Sequence, residues 1–370
     1  MLRELKKIDW VLAGAALLLT VVGLISIYYS SQSTPQTGSG REDSFILFKK
    51  QLVFLILGFF MMIITALFFD LRLLKQNSLF IFLLYLLCLG ALALLFVFGV
   101  KIRGTTGWFK FLGITLQPIE FAKIVIALLL AKYFTVRHVE MYRVRHLFIS
   151  GLYVLLPSIL VFFQPDLGSV IILWIIWLGI ILVAEVKLKH LAAIFILGII
   201  LIIIAWGLFL KDYQKERVLS FLNPKFNPRG PSYQINQSLI AIGSGGIFGK
   251  GIAKGTQTQY GFLPEAQTDF IFAAIAEETG LAGIIFVFLL YILFFWRIFK
   301  IAISASNNFF SLVATSLGIL IFSQTFINIG MNVHLLPIIG VPLPFLSYGG
   351  SSLISMFLAL GILQNIKTKG

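Results

Sequence analysis

Long apolar runs separated by short polar punctuation organise this chain. Apolar blocks occupy residues 10–30, 51–69, 78–98, 119–136, 147–163, 168–184, 191–210, 270–295, 309–332 and 350–366. They run to 17–26 residues, around the length that crosses a hydrocarbon core of about 30 Å at about 1.5 Å per helical residue. Within each block the apolar positions are continuous rather than alternating in twos. That predicts helices and not barrel strands, because a helix satisfies its own backbone hydrogen bonds in lipid. The expected fold is an all-α polytopic integral membrane protein of about ten transmembrane helices. Residues 1–9 are basic and precede an apolar run, as in a signal peptide. The run is too long for an h-region and lacks a small-x-small cleavage site, so the first block reads as an uncleaved span.

Composition sharpens this picture. Hydrophobic residues make up 59% of the chain and charged ones 12%, against about one quarter charged in soluble domains. The formal charge of +14 sits mostly in short loops, with no basic stripe interleaved with aromatics, which argues against nucleic acid as a partner. Fifteen Lys and Arg fall on one side of the predicted topology. The short loops of the other side hold six: Arg41, Lys49, Lys50, Lys101, Arg103 and Lys110. By the positive-inside rule both termini are expected in the cytoplasm. The outer side then carries the one long connection, 211–269, where QSLIAIGSGGIFG is apolar but too short to span and is expected to lie at the interface or dip back into the protein. A single cysteine, Cys88, and four scattered histidines, His138, His146, His190 and His334, offer neither a disulfide framework nor a paired metal or haem site.

Ionisable groups in or beside the hydrocarbon are the informative ones, since each costs at least about 2.5–3.5 kcal/mol at a helix centre unless paired or hydrated. Glu120 and Lys123 in QPIEFAKIV share a helix face and can pair. Both a structural ion pair and the lining of a wet cavity open to the outer side fit them. Asp166 in QPDLG stands where an aspartate caps the following helix, or where it contacts a bound headgroup. Asp269 closes the long connection and opens a helix. Thr268 or Asp269 as an N-cap is one reading, and a carboxylate that abstracts a proton from a surface-docked substrate is the other. Glu277 lies about 80° round from Asp269 and about 12 Å deeper, where it would line the same cavity, whereas Glu278 falls on the opposite face and would meet another helix. The glycine-rich GSGGIFGKGIAKGT is not a nucleotide loop, because five positions before Gly249 stands Ser244, and Gly251 follows Lys250 where Ser or Thr is required. Its amides with Lys250 and Lys254 would either cradle a pyrophosphate headgroup or form a plain loop.

The motifs LKKIDW, FKKQL, QPIEFAK, QPDLG, SYQINQSLIAIGSGGIFGKG, GTQTQYGFLPEAQTDFIFAAIAEETGLAG and NIGMNVHLLPIIGVPLPFLSYGGSSL run nearly end to end. The chain they compose resembles the SEDS family (shape, elongation, division and sporulation), with GTQTQ and TDFIF tilting towards its cell-elongation branch. The resemblance implies a single transmembrane domain over 1–370, with 211–269 as its long extracytoplasmic loop, in the bacterial cytoplasmic membrane. It implies a peptidoglycan glycosyltransferase that polymerises lipid II outside that membrane. The implied partners are a class B penicillin-binding transpeptidase and other elongation-complex membrane proteins. By the same resemblance Asp269 corresponds to the essential outer-loop aspartate and is the expected catalyst. Glu120 and Lys123 correspond to the paired intramembrane acid and base, and Lys50 to the basic residue ahead of Gln at the second span. Lys50, Glu120, Lys123, Asp166 and Glu277 are together the expected substrate-binding set. For neutralising a pyrophosphate leaving group, a divalent cation (Mg or Mn) is the one cofactor left open, beside Lys50, Lys123 and the loop lysines. A lipid II flippase is the rival function. Two departures stand out. Gly107 precedes Trp108 where the family carries Arg, leaving Arg103 or Lys110 to supply that charge, and His334 stands where Gly is common.

Overall fold

The computed structural model describes residues 7–31, 42–102, 104–111, 114–137, 144–184, 188–208, 210–223, 226 and 230–369. Arg3, Lys6, Arg41, Arg103, His138, Arg143 and Lys187 lie outside the described residues. Among those described stand ten helices of 17 residues or more: α1 (Trp10–Ser31), α2 (Glu42–Leu67), α4 (Ser78–Phe98), α5 (Pro118–Val136), α6 (Val144–Phe163), α7 (Leu167–Val183), α8 (Leu188–Leu208), α12 (Ile271–Ile303), α13 (Asn308–Asn332) and α14 (Gly350–Lys369). By length and composition alone, α1, α2, α4, α6, α12 and α13 are able to cross a membrane. α5 is interrupted by Glu120 and Lys123, and α7 is the shortest of the ten. The protein is a polytopic helical membrane protein.

Helix starts follow local chemistry. A short α3 (Leu71–Gln76) is capped by Asp70, α4 by Asn77 and α13 by Asn307, each with a side-chain oxygen on a first-turn amide. Pro118 opens α5 where a missing N–H costs nothing. Three features depart from the pattern-based expectation. The short loop before α5 is a three-stranded antiparallel meander, β1 (Val100–Ile102), β2 (Thr105–Phe111) and β3 (Ile114–Leu116), so the fold is not wholly helical. α2 begins at Glu42, well before the apolar block at 51. The connection 211–269 carries α9 (Asp212–Leu222), α10 (Pro231–Ser244) and α11 (Thr256–Gln259).

α14 packs intimately along α2 because small residues let the backbones approach. A Cβ on Gly361 would meet the Met62 carbonyl at 2.8 Å, and one on Gly58 would meet the Phe357 ring at 2.8 Å. Asn365 then donates to the carbonyls of Thr65, Ala66 and Phe69, which α2 leaves unpaired at its end. At that same end the Asp9 amide donates to Gln364 Oε1 at 2.8 Å and Gln364 Nε2 donates to the Asp9 carbonyl at 2.9 Å. Arg297 Nε reaches the Asp9 carboxylate at 2.8 Å. Asp9 and Gln364 therefore sit together at one end of the bundle, and Asp269, 28 positions before Arg297 and at the head of α12, sits at the other.

Candidate functional site

The turn that presents Asp269 is held by its main chain. Asn328 Nδ2 donates to the Asp269 carbonyl at 3.0 Å and Asn332 Nδ2 donates to it at 2.9 Å. The two asparagines are an i,i+4 pair on α13 and are fully buried. Asn328 also donates to the Val341 carbonyl. Asn332 Oδ1 accepts the first-turn amide of Ala273 at 3.1 Å. The cap expected from Thr268 or Asp269 is therefore supplied from another helix. The N-cap position is Phe270, without a side-chain cap, and the Thr268 hydroxyl instead donates to Glu265. The Asp269 side chain is half-buried and faces the turn at Gly340, where a Cβ would lie 3.6 Å from Oδ2. Gly340 has φ +77°, so a larger residue there would be strained and would crowd the carboxylate.

The segment 343–352 ties this turn to the other expected residues. Ser347 Oγ donates to the Thr268 carbonyl at 2.6 Å, and the Tyr348 amide donates to the Gln267 carbonyl at 2.8 Å. Gln51, beside the exposed Lys50, donates to the Ser347 carbonyl and accepts the Gly349 amide. Farther along, Ser351 Oγ accepts the Gln117 amide at 2.9 Å, and Gln117 Nε2 reaches Asp166 Oδ2 at 3.4 Å. One run of hydrogen bonds thus links Asp269 to the Lys50 turn, to the start of α5 and to Asp166. Asp166 itself caps α7, accepting the Ser169 amide at 3.0 Å and the Ser169 hydroxyl at 2.8 Å, which is the structural one of its two expected roles.

Two turns into α5, Lys123 Nζ donates to Glu120 Oε1 at 2.7 Å, with side chains 1% and 2% exposed. The other oxygen, Glu120 Oε2, is buried with no hydrogen-bond partner among the described residues. A paired but incompletely satisfied acid is costly to hold.

Glu277 belongs elsewhere. It is fully buried and both oxygens are committed to protein donors. Oε1 accepts from Lys250 Nζ at 2.8 Å and the Gln257 amide at 2.8 Å, and Oε2 from the Thr258 amide at 3.0 Å and its hydroxyl at 3.1 Å. It anchors α11 instead of lining the cavity assigned to it from its helical position. The reason is that α12 is not a continuous helix. Gly280 has φ 66° and ψ −162°, breaking it, and the loop after α10 enters the gap. The amides of Lys250 and Gly251 donate to the carbonyls of Glu277 and Glu278, while the amides of Leu281 and Ala282 donate to the carbonyls of Gly246 and Ile247. Backbone meets backbone so closely that a Cβ on Gly249 would lie 2.1 Å from the Glu278 carbonyl oxygen, and one on Gly280 would lie 2.3 Å from the Gly249 amide. The Lys250 and Gly251 amides and the Lys250 ammonium are thus committed to α12, which is the plain-loop one of the two readings for these groups.

Asn328 and Asn332 were missed as site residues. Their signal was present: two amides four apart inside an apolar run. His334 sits at φ 59°, which explains why glycine suits that place, and its Nε2 lies 3.1 Å from the Phe221 carbonyl, tying α9 to the turn after α13. Lys110 is exposed on β2, and Arg103 lies outside the described residues. No trio of His, Cys, Asp or Glu positioned for a metal occurs among those described. A half-buried carboxylate whose main chain is pinned by two buried amides, at the end of the bundle opposite Asp9 and Gln364, has a placement that suits a general base.

Residues 9–370 match the FTSW_RODA_SPOVE family, described as cell cycle protein. The chain is 39% identical over 285 residues to peptidoglycan glycosyltransferase MrdB of Escherichia coli (strain K12), covering 77% of each. A chain from the structure "Structural coordination of polymerization and crosslinking by a peptidoglycan synthase complex" superposes with a TM-score of 0.79 at 30% identity, covering 97% of both chains. The rod shape determining protein RodA of Thermus thermophilus superposes with a TM-score of 0.67 at 26% identity, covering 97% of this chain and 96% of that one.

Proposed function

The chain belongs to the FtsW/RodA/SpoVE family, and from that premise we propose that it is a peptidoglycan glycosyltransferase that polymerises lipid II during cell elongation. Asp269 is the base. It takes the proton from the 4-hydroxyl of the GlcNAc on an incoming lipid II. That oxygen attacks the anomeric carbon of the lipid-linked MurNAc of the growing strand, the new glycosidic bond forms with inversion, and undecaprenyl pyrophosphate departs with the electrons of the broken bond. The leaving group is already a stable anion and needs positive charge more than a proton. One carboxylate therefore suffices, unlike the pair used in glycoside hydrolysis. Lys50, exposed beside Gln51 at the same end, is placed to meet the pyrophosphate. Lys123 is buried against Glu120 and acts through the local field rather than by contact.

What carries the reading is the geometry at Asp269, whose main-chain carbonyl is fixed by two buried amides while its half-buried side chain faces the turn at Gly340. The relative in a peptidoglycan synthase complex supports a class B penicillin-binding transpeptidase as partner. The placement of Asp9 beside Gln364, with Arg72, Lys75, Lys132, Arg297 and Lys369 at the same end, supports cytoplasmic termini in the bacterial cytoplasmic membrane. The test is purified protein in detergent with fluorescent lipid II. The wild-type chain is expected to make polymer, and Asp269→Asn to lose at least about a hundredfold in rate with its thermal unfolding unchanged. A flippase predicts no polymer in detergent, and full activity in Asp269→Asn rejects the base.

A further inference from the structure

At the end of the bundle opposite Asp269, a cavity of about 520 Å³ opens between Arg72 and Lys75 of α3, Ser306 and Asn307 ahead of α13, and Lys369 of α14. Arg72 Nη2 donates to the Lys369 carbonyl at 3.0 Å. Lys132, reaching across from α5, donates to the Lys75 carbonyl. Four cations from three helices thus converge on one place. None of them takes part in an ion pair among the described residues, whose ion pairs are Glu120 with Lys123, Glu277 with Lys250 and Asp9 with Arg297. The neighbouring carboxylate, Asp70, is engaged with the Arg72 amide as the cap of α3. Lys369 Nζ donates to the carbonyls of Leu67 and Phe69. Carbonyls satisfy hydrogen-bonding donors but leave the positive charge standing, and gathering like charges while ordering long side chains is unfavourable unless an anion joins them.

The surroundings identify the kind of anion. The cavity lies where α2 ends and where α4 and α13 begin, at the border between bilayer and water. Beside it Phe68 and Leu73 are 69% and 58% exposed, an apolar surface for acyl chains directly next to the charged one. We propose that this cavity binds the phosphate of an anionic phospholipid headgroup drawn from the leaflet on the side of the chain termini. Basic recesses between membrane helices recognise headgroups in this way.

The experiment uses the purified full chain and counts retained lipid by native mass spectrometry during titration with phosphatidylglycerol or phosphatidylcholine. The wild-type protein is expected to retain one phosphatidylglycerol in preference to phosphatidylcholine, with retention falling as salt rises. Neutralisation is expected to weaken retention about fivefold per cation, so about a hundredfold in Arg72→Gln/Lys75→Gln/Lys369→Gln. Lys101→Gln at the opposite end leaves it unchanged. Should the triple variant not fold, Lys75→Gln alone carries the test with its fivefold loss. Equal retention by variant and wild type, equal retention of phosphatidylcholine, or displacement of the lipid by millimolar inorganic phosphate would each overturn the assignment.

Discussion

Asn332 bridges Asp269 and Ala273, its Nδ2 donating to the Asp269 carbonyl at 2.9 Å and its Oδ1 accepting the Ala273 amide at 3.1 Å. One side chain from α13 thus sets where the base stands and where the following helix begins. Asn332→Leu is expected to cost about 1–3 kcal/mol of stability by stranding buried groups. It should also lower the polymerisation rate by up to about a hundredfold through misplacement of the carboxylate. Steady-state kinetics should show the loss in kcat with KM for lipid II little changed. A purely structural asparagine would lower the melting temperature and leave the turnover of folded protein intact.

Glu277 has the opposite profile. Its carboxylate organises α11 and does not face substrate, so Glu277→Ala leaves the Gln257 and Thr258 amides and Lys250 without their acceptor. Loss of such a buried charge costs about 3–5 kcal/mol. A lower melting temperature and faster proteolysis between residues 250 and 260 are expected.

The buried pair of Glu120 and Lys123 calls for a double-mutant cycle. Glu120→Gln or Lys123→Met alone strands a charge and is expected to destabilise by about 3–5 kcal/mol, while the double variant recovers much of that loss. Thermal unfolding of the four proteins measures the coupling. Additive losses would show that the two side chains do not rely on each other. If the pair also supports catalysis, the double variant folds but polymerises slowly.

At Gly280 a methyl group has no room, because the Gly249 amide lies 2.3 Å from where its Cβ would be. The positive φ adds strain of order 1–3 kcal/mol. Gly280→Ala is expected to expel the loop from the helix break, which hydrogen exchange would register as faster exchange at Lys250, Gly251, Leu281 and Ala282.

The helices were largely legible in the sequence because lipid imposes a length and a continuous apolar surface, and caps such as Asp70, Asn77 and Asn307 announce themselves locally. Asp269 was legible only through its family resemblance, since as a residue type at a helix start it reads equally as a cap. What could not be read was long-range backbone pairing. Counting at 100° per residue gave Glu277 a direction but not a neighbour, since nothing local says that residues 246–251 fill the break at Gly280 and bring Lys250 and α11 onto that carboxylate. The cap on Ala273 was hidden for the same reason, since its donor and acceptor stand 59 positions apart.

The break in α12 divides ownership of that helix. The loop holds both sides of the fracture, two of its amides donating to the Glu277 and Glu278 carbonyls before the break and two of its carbonyls accepting the Leu281 and Ala282 amides after it, and Asp269 rides at the head of the first piece. Mechanically, the loop splints the fracture, so the short piece that carries the base answers to the loop as well as to α13. An antibody fragment that grips residues 246–260 would therefore hold a lever on turnover without ever entering the bilayer.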